Sequence, residues 1–182
     1  QLADGSDPND SVMEASTGIN GVDYGRTFMA ERDRGWLHLI GLTFRHSNTS
    51  ALAEQGAMVN LSSNSIAENC TFMYADFCGV NLGYLTDNVK VINCTIINNG
   101  DSGINVAGVT NFLISGNTIT GNNYRQFSGF WHAGGIKLAS NSSIGAFPHG
   151  IIENNVVAHN AGPGIWFDYC YGPAKSIIRG NY

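Results

Sequence analysis

The segment Gly164-Ile165-Trp166-Phe167-Asp168 sets an indole and a carboxylate two residues apart, and the related segment Gly135-Ile136-Lys137-Leu138 carries an ammonium where the first has its indole. On an extended strand, residues two apart project from the same face, so Trp166 and Asp168 would share one surface. Carboxylate, ammonium and aromatic plane together suit sugar chemistry: rings stack on C–H faces while polar groups bond the hydroxyls around the edge. A second concentration of such residues lies between Asn123 and Ala133, where Tyr124, Arg125, Phe127, Phe130, Trp131 and His132 crowd into one loop. The candidate substrate-binding residues are therefore Trp131, His132 and Arg125 from the loop and Lys137, Trp166 and the outward Asn105 from strands.

Each candidate has a structural alternative. The aromatic loop can fold back as a hydrophobic flap, a role compatible with walling a site. Lys137 can be a solvated charge on a ladder of strands, Asp168 can cap the turn at Tyr169-Cys170, and His132 can be a satisfied loop histidine. Asp76 and Asp101 precede strands and read as turn formers. Glu153 and Arg179 fall in one outward column and read as a surface ion pair of small energetic value.

Two repeated patterns define the elements that must position these residues. One is a glycine followed by apolar-x-apolar: Gly79-Val80-Asn81-Leu82, Gly103-Ile104-Asn105-Val106, Gly135-Ile136-Lys137-Leu138 and Gly164-Ile165-Trp166-Phe167, with glycines 24, 32 and 29 residues apart. The other is Asn69-Cys70-Thr71-Phe72, Asn93-Cys94-Thr95-Ile96, Gly116-Asn117-Thr118-Ile119, Asn154-Asn155-Val156-Val157 and Gly180-Asn181, preceded by Gly41-Leu42-Thr43-Phe44. A period near 24 with short strands and no helical periodicity indicates a solenoid, whose repeats bury their apolar sides only by stacking. Repeats of this length with Asn in the turn look like an all-β, right-handed parallel β-helix of about six coils, cut at both ends.

In that register Val80, Ile104, Ile136 and Ile165 form one inward ladder, and Leu61, Leu82, Val106, Leu138 and Phe167 another. Outward columns run Asn60, Asn81, Asn105, Lys137, Trp166 and Ser62, Gly83, Ala107, Ala139, Asp168, so that small residues leave a trough beside Asp168. Leu42, Cys70, Cys94, Asn117, Asn155 and Asn181 align in a turn column, and Asn99, Asn122 and Asn160 in a second. Stacked amides of this kind satisfy turn groups from coil to coil. The four cysteines read as free, because Cys70 and Cys94 share a buried column and Cys78 and Cys170 do not align. Residues 1–35 read as N-terminal edge strands leading into the solenoid, and residues 36–182 as its coils. The loops 123–133 and 141–149 flank the Lys137 strand and would wall one outer face.

Composition narrows the function. The chain has 182 residues, 23 glycines, 13% charged residues and a net charge of -5, with seven of its 14 acids (Asp4, Asp7, Asp10, Glu14, Asp23, Glu31 and Asp33) near the N-terminus. No basic cluster exists to meet a phosphate backbone, which argues against nucleic acid. No apolar run approaches about 18 residues, which argues against a membrane-spanning helix. No CxxC or paired-His spacing suggests a metal.

The combination "GLTFRH", "FWHAGGIKLAS", "IIENNVVAHNAGPGIWFDY" and the repeated "NCTI/GNTI" resembles the right-handed β-helix proteins of the pectate-lyase-like superfamily, and in particular secreted bacterial β-helical glycoside hydrolases such as β-xylosidases and α-fucosidases. The resemblance covers the chain from about residue 36. It implies a secreted, extracellular or periplasmic, polysaccharide- or oligosaccharide-directed protein, with Asp168 as the catalytic carboxylate nucleophile and no cofactor. It also implies a second carboxylate one coil later as general acid, a coil that would lie past Tyr182 unless Asp101, His132 or Glu153 substitutes. Another chain, or the remainder of a longer one, could cap the open end. Two other functions fit the same scaffold. One is a polysaccharide lyase or uronate epimerase with Lys137 as base and a cation such as calcium neutralising the uronate. The other is a non-catalytic glycan-binding or structural shaft.

Overall fold

The computed structural model describes residues 28–29, 35–48, 57–83, 85–140, 147–170 and 175–182. The chain winds through three faces in turn. The first coil comprises β1 (Phe28–Met29), β2 (His38–Ile40) and β3 (Thr43–Arg45), and the second β4 (Ala57–Leu61), β5 (Ile66–Glu68) and β6 (Thr71–Met73). Then follow β7 (Cys78–Leu82), β8 (Lys90–Ile92) and β9 (Thr95–Ile97), and β10 (Ser102–Ala107), β11 (Thr110–Ser115) and β12 (Thr118–Thr120). The last coils hold β13 (Gly134–Ala139), β14 (His149–Glu153) and β15 (Val156–Ala158), then β16 (Ile165–Asp168) and β17 (Ile177–Arg179). Like strands of successive coils pair in parallel, giving sheet A (β1, β4, β7, β10, β13, β16), sheet B (β2, β5, β8, β11, β14, β17) and sheet C (β3, β6, β9, β12, β15).

The expected register holds residue by residue. Val80, Ile104, Ile136 and Ile165 are successive partners, as are Leu61, Leu82, Val106, Leu138 and Phe167. These side chains and their counterparts from sheets B and C, among them Phe72, Val91, Ile96, Ile114 and Ile119, fill one core. Phe44 and Phe72 stack one coil apart, centroids 5.4 Å and planes 3° from parallel. Of the N-terminal segment, only Phe28–Met29 and Gly35 lie within the described residues, and Phe28–Met29 pairs with β4; the other N-terminal expectations, like most of the 141–149 loop, lie outside them.

A two-residue turn joins sheet B to sheet C in the first five coils, and the same two-residue pattern follows β17. Its first residue is Gly41, Asn69, Asn93, Gly116, Asn154 or Gly180, and all six have φ between 52 and 70°. Left-handed backbone suits only glycine and asparagine well, which explains why the sequence repeats Gly or Asn there and nothing else. The second residue carries the ladder. Asn117 Oδ1 accepts from the Cys94 N–H at 2.8 Å, Asn155 Oδ1 from the Asn117 N–H at 2.9 Å, and Asn181 Oδ1 from the Asn155 N–H at 3.0 Å. Each amide nitrogen donates onward to a sheet B carbonyl, Val91, Ile114 or Ile152. Cys94 and Cys70 continue the pattern with sulfur, their thiols facing the Ala67 and Leu39 carbonyls at 3.5 Å. The second column behaves alike: Asn122 Oδ1 accepts from both the backbone N–H and the amide of Asn99.

All four cysteines are free. Burial pushes the Cys78 and Cys94 thiols from 9.0 up to about 12, for Cys78 against a small opposing effect of Ser102; Cys170 is raised as well, by burial and then by Asp168. A raised folded value means that the neutral thiol is the stable buried form, so this contribution is fully present below pH 9 and is lost as pH rises toward 12. Urea midpoints should therefore stay level to pH 9 and fall from there to pH 11. A thiol reagent at pH 8 should label Cys78 and Cys94 only after unfolding, and rapid labelling of either in the native protein would contradict this burial. Glu153 and Arg179 form the expected outer pair at 2.7 Å, with Arg179 largely in solvent.

Candidate functional site

Sheet A is buried on both faces across β4 and β7. Its outward asparagines are therefore not an open floor: Asn105 is 5% exposed, and its amide donates to Asn81, which donates to Asn60. The column changes character at β13, where the pairing sets Lys137 beside Trp166 and Ala139 beside Asp168.

Lys137 reaches diagonally across that pairing. Its Nζ lies 2.9 Å from Asp168 Oδ2 and 4.0 Å from the Trp166 ring centroid, and it donates to the Trp131 carbonyl. The lysine side chain is 7% exposed and the aspartate 23%. Reading Lys137 as a solvated ladder charge fails here, because three partners engage a side chain that is out of water. Ala107 and Ala139 stand beside Asp168 in the expected column and add no bulk. One face of Trp166 is taken by the lysine, a cation–π contact, rather than left bare for a sugar.

The 123–133 loop is both flap and wall. Asn123 ties it down, donating to the Phe127 and Ala161 carbonyls and accepting from the Phe127 N–H. Phe127 packs on Ala57, Phe77 and Cys78, while Trp131 stays 49% exposed and Phe130 points into solvent. Arg125 pairs with Asp76 at 3.3 Å, half in solvent.

The loop also delivers His132 to Asp101. Asp101, read from sequence as a turn former, is fully buried; its Oδ2 pairs with His132 Nδ1, and its Oδ1 has no partner. Phe77 stacks on the imidazole at 4.9 Å, and Ser102 Oγ lies 3.5 Å from the same Nδ1. A buried carboxylate on Nδ1 fixes the ring and its tautomer, leaving Nε2 for other chemistry. The sequence held a signal for this pairing. Ser102 and Gly134 are strand partners, so counting back one and two residues brings Asp101 and His132 onto adjacent coils.

Of the sequence candidates, Lys137, Trp166, Asp168, Trp131 and His132 are thus linked in one network, Arg125 stands at its far side on Asp76, and Asn105 lies within the buried asparagine column. Among the described residues, no three His, Cys, Asp or Glu side chains gather as a metal site would require. Among the described residues there is no helix long and apolar enough to cross a membrane.

Stacked parallel coils with asparagine turns define a right-handed parallel β-helix. Residues 39–145 match the family described as right handed beta helix region, and the chain belongs to that family. No curated protein matches it. Among solved structures it is similar to the periplasmic alginate epimerase AlgG, with a TM-score of 0.63 and 13% identity over 85% of this chain and 35% of that one. The A-module of the Azotobacter vinelandii mannuronan C-5 epimerase AlgE6 aligns with a TM-score of 0.46 and 17% identity, over 85% of this chain and 54% of that one. The chain thus spans about a third and about half of the lengths of these two structures.

Proposed function

We propose that this chain carries glycan-processing chemistry of the retaining glycoside hydrolase type, acting on a polysaccharide or oligosaccharide outside the cytoplasm, with Asp168 as nucleophile. The observation that carries this reading is the Lys137–Asp168 pair, a carboxylate held at 2.9 Å by an ammonium yet still open to solvent on a rigid strand. In such a reaction an Asp168 oxygen attacks the anomeric carbon, the bond from that carbon to the leaving oxygen breaks, and a general acid gives that oxygen a proton. Water then attacks the glycosyl ester, loses its proton to the same group, and frees the carboxylate. Within this chain His132, oriented by Asp101 and next to the carbonyl that Lys137 bonds, is the group suited to the proton transfers.

Asp168→Asn keeps the shape of the side chain and removes its nucleophilicity, so release of reducing ends from the polysaccharide should fall by about 10³-fold or more while glycan binding persists. Undiminished turnover in this variant would remove Asp168 from the mechanism.

The Asp101–His132 pair also supports a second reading, abstraction of the C5 proton of a uronate, the chemistry of an epimerase or lyase. In this reading His132 replaces Lys137 as base. Lys137 spends its N–H groups on a carboxylate and a carbonyl and aims no lone pair at a substrate. A lyase product would carry a conjugated double bond and absorb in the ultraviolet; a hydrolase product would not.

A further inference from the structure

The corner after sheet C holds a second concavity. His46, Tyr74 and Asn98 occupy the same place on three successive coils, in left-handed backbone with φ of 60, 60 and 53°. The fourth coil has Gly121 there, φ 66°, so no side chain continues the stack. Tyr124 stands three residues on, and a cleft of about 550 Å³ opens among His46, Ser47, Asn48, Tyr74, Asp76, Asn98 and Tyr124. None of these belongs to the Lys137–Asp168 or Asp101–His132 pair.

The lining has a definite chemistry. Tyr74 and Tyr124 are 43% and 51% exposed and both line the cleft. The His46 ring stacks on Tyr74, centroids 5.4 Å apart. Among the described residues the buried Ser47 hydroxyl has no hydrogen-bond partner, a cost that native structures rarely leave unexplained. Asn48 and Asn98 add two side-chain amides to the lining. Asp76 gives the wall one carboxylate, and its cation, Arg125, is not part of the lining. Rings, amides and a hydroxyl around a volume suited to a small ligand match a sugar. A single acid with no lining Lys or Arg disfavours an anionic one.

We infer that this cleft is a binding subsite for an uncharged saccharide unit, separate from the centre at Asp168. The inference rests on the glycan reading for the class of polymer, and on the cleft's own lining for the ligand. It would hold a chain on the scaffold while another part of that chain reacts.

The test is calorimetric titration of the whole protein, in the Asp168→Asn background so that turnover does not intrude. Xylohexaose, cellohexaose and mannohexaose serve as neutral probes, and an oligomannuronate as the charged one. At least one neutral hexaose should bind, more tightly than the oligomannuronate, and Tyr74→Asn and Tyr124→Ala should each weaken it about three- to tenfold, the worth of one aromatic contact. Asparagine is chosen at 74 because the same corner accepts Asn98 in left-handed backbone, so the fold should survive, as a thermal melt will verify. Unchanged affinity in both tyrosine variants, preference for the oligomannuronate, or no binding of any neutral probe would each overturn the assignment. These results are independent of turnover: Asp168→Asn can remain active while the tyrosine variants lose binding, and the reverse.

Discussion

Asn122→Leu will bring the chain close to unfolding at 25 °C. Leucine keeps the branched skeleton of asparagine with bulkier methyl groups, so the change removes every hydrogen bond of the amide and adds some overpacking. Asn122 Oδ1 accepts from the Asn99 N–H at 3.1 Å and the Asn99 amide at 2.9 Å, while its Nδ2 donates to the Ile96 carbonyl at 3.1 Å and to Asn160 Oδ1 at 2.9 Å. Asn99 and Asn122 are buried, so water cannot readily replace the lost partners. Each stranded buried group costs about 1–3 kcal/mol, giving a loss of about 3–6 kcal/mol against a total stability of about 5–15 kcal/mol for an ordinary domain. Urea denaturation followed by circular dichroism measures it. A loss below about 1 kcal/mol would mean that the ladder orders the turns without stabilising them. Cys94→Ala, in the other column, makes the comparison: sulfur is a weak partner, so that change should cost clearly less.

The second large effect concerns Lys137. Lys137→Gln removes the charge facing Asp168, and turnover should drop by about 10²-fold, the scale on which a preorganised electrostatic partner acts. The fold should tolerate the change better than the loss of a fully buried pair, because Asp168 keeps contact with water. Lys137→Arg separates the two chemistries. If Lys137 acts as a positioning residue on the Asp168 carboxylate, arginine restores the ion pair and recovers part of kcat. If Lys137 were a proton-abstracting base, arginine would leave no activity, since a guanidinium does not give up its proton in a protein. Kinetics of the three forms on one substrate, with KM and kcat resolved, decide between them.

The coils were legible in the sequence because their causes are local and repeated. Gly or Asn recurs where the backbone must turn left-handed, and alternation of Ile, Val and Leu with small polar residues fixes the face. The register of Val80, Ile104, Ile136 and Ile165, and the asparagine turn columns, could be counted directly. The burial of Asn105 and Lys137 could not, because alternation says which face a residue takes but not whether that face is covered. Asp101 shows the same limit from another side. Its turn-forming character is a property of the residue, whereas its role depends on a loop of irregular length bringing His132 back to it. The cleft at Tyr74 stayed hidden because the corner that repeats at His46, Tyr74 and Asn98 changes residue type from coil to coil, and Tyr124 comes from a loop outside the repeat.

The two-residue corner between sheets B and C has a consequence for how this architecture can vary. With one residue bent left-handed and the next threaded into the ladder, that edge has no slack, and all five connections between the two sheets keep the same length. The long connections of the fourth and fifth coils lie elsewhere, between β12 and β13 and between β13 and β14. Both of those entry points adjoin sheet A. Insertions therefore accumulate as banks along one side of the rod and leave the opposite edge bare, so new specificities are built over Lys137 and Asp168 without disturbing the spine.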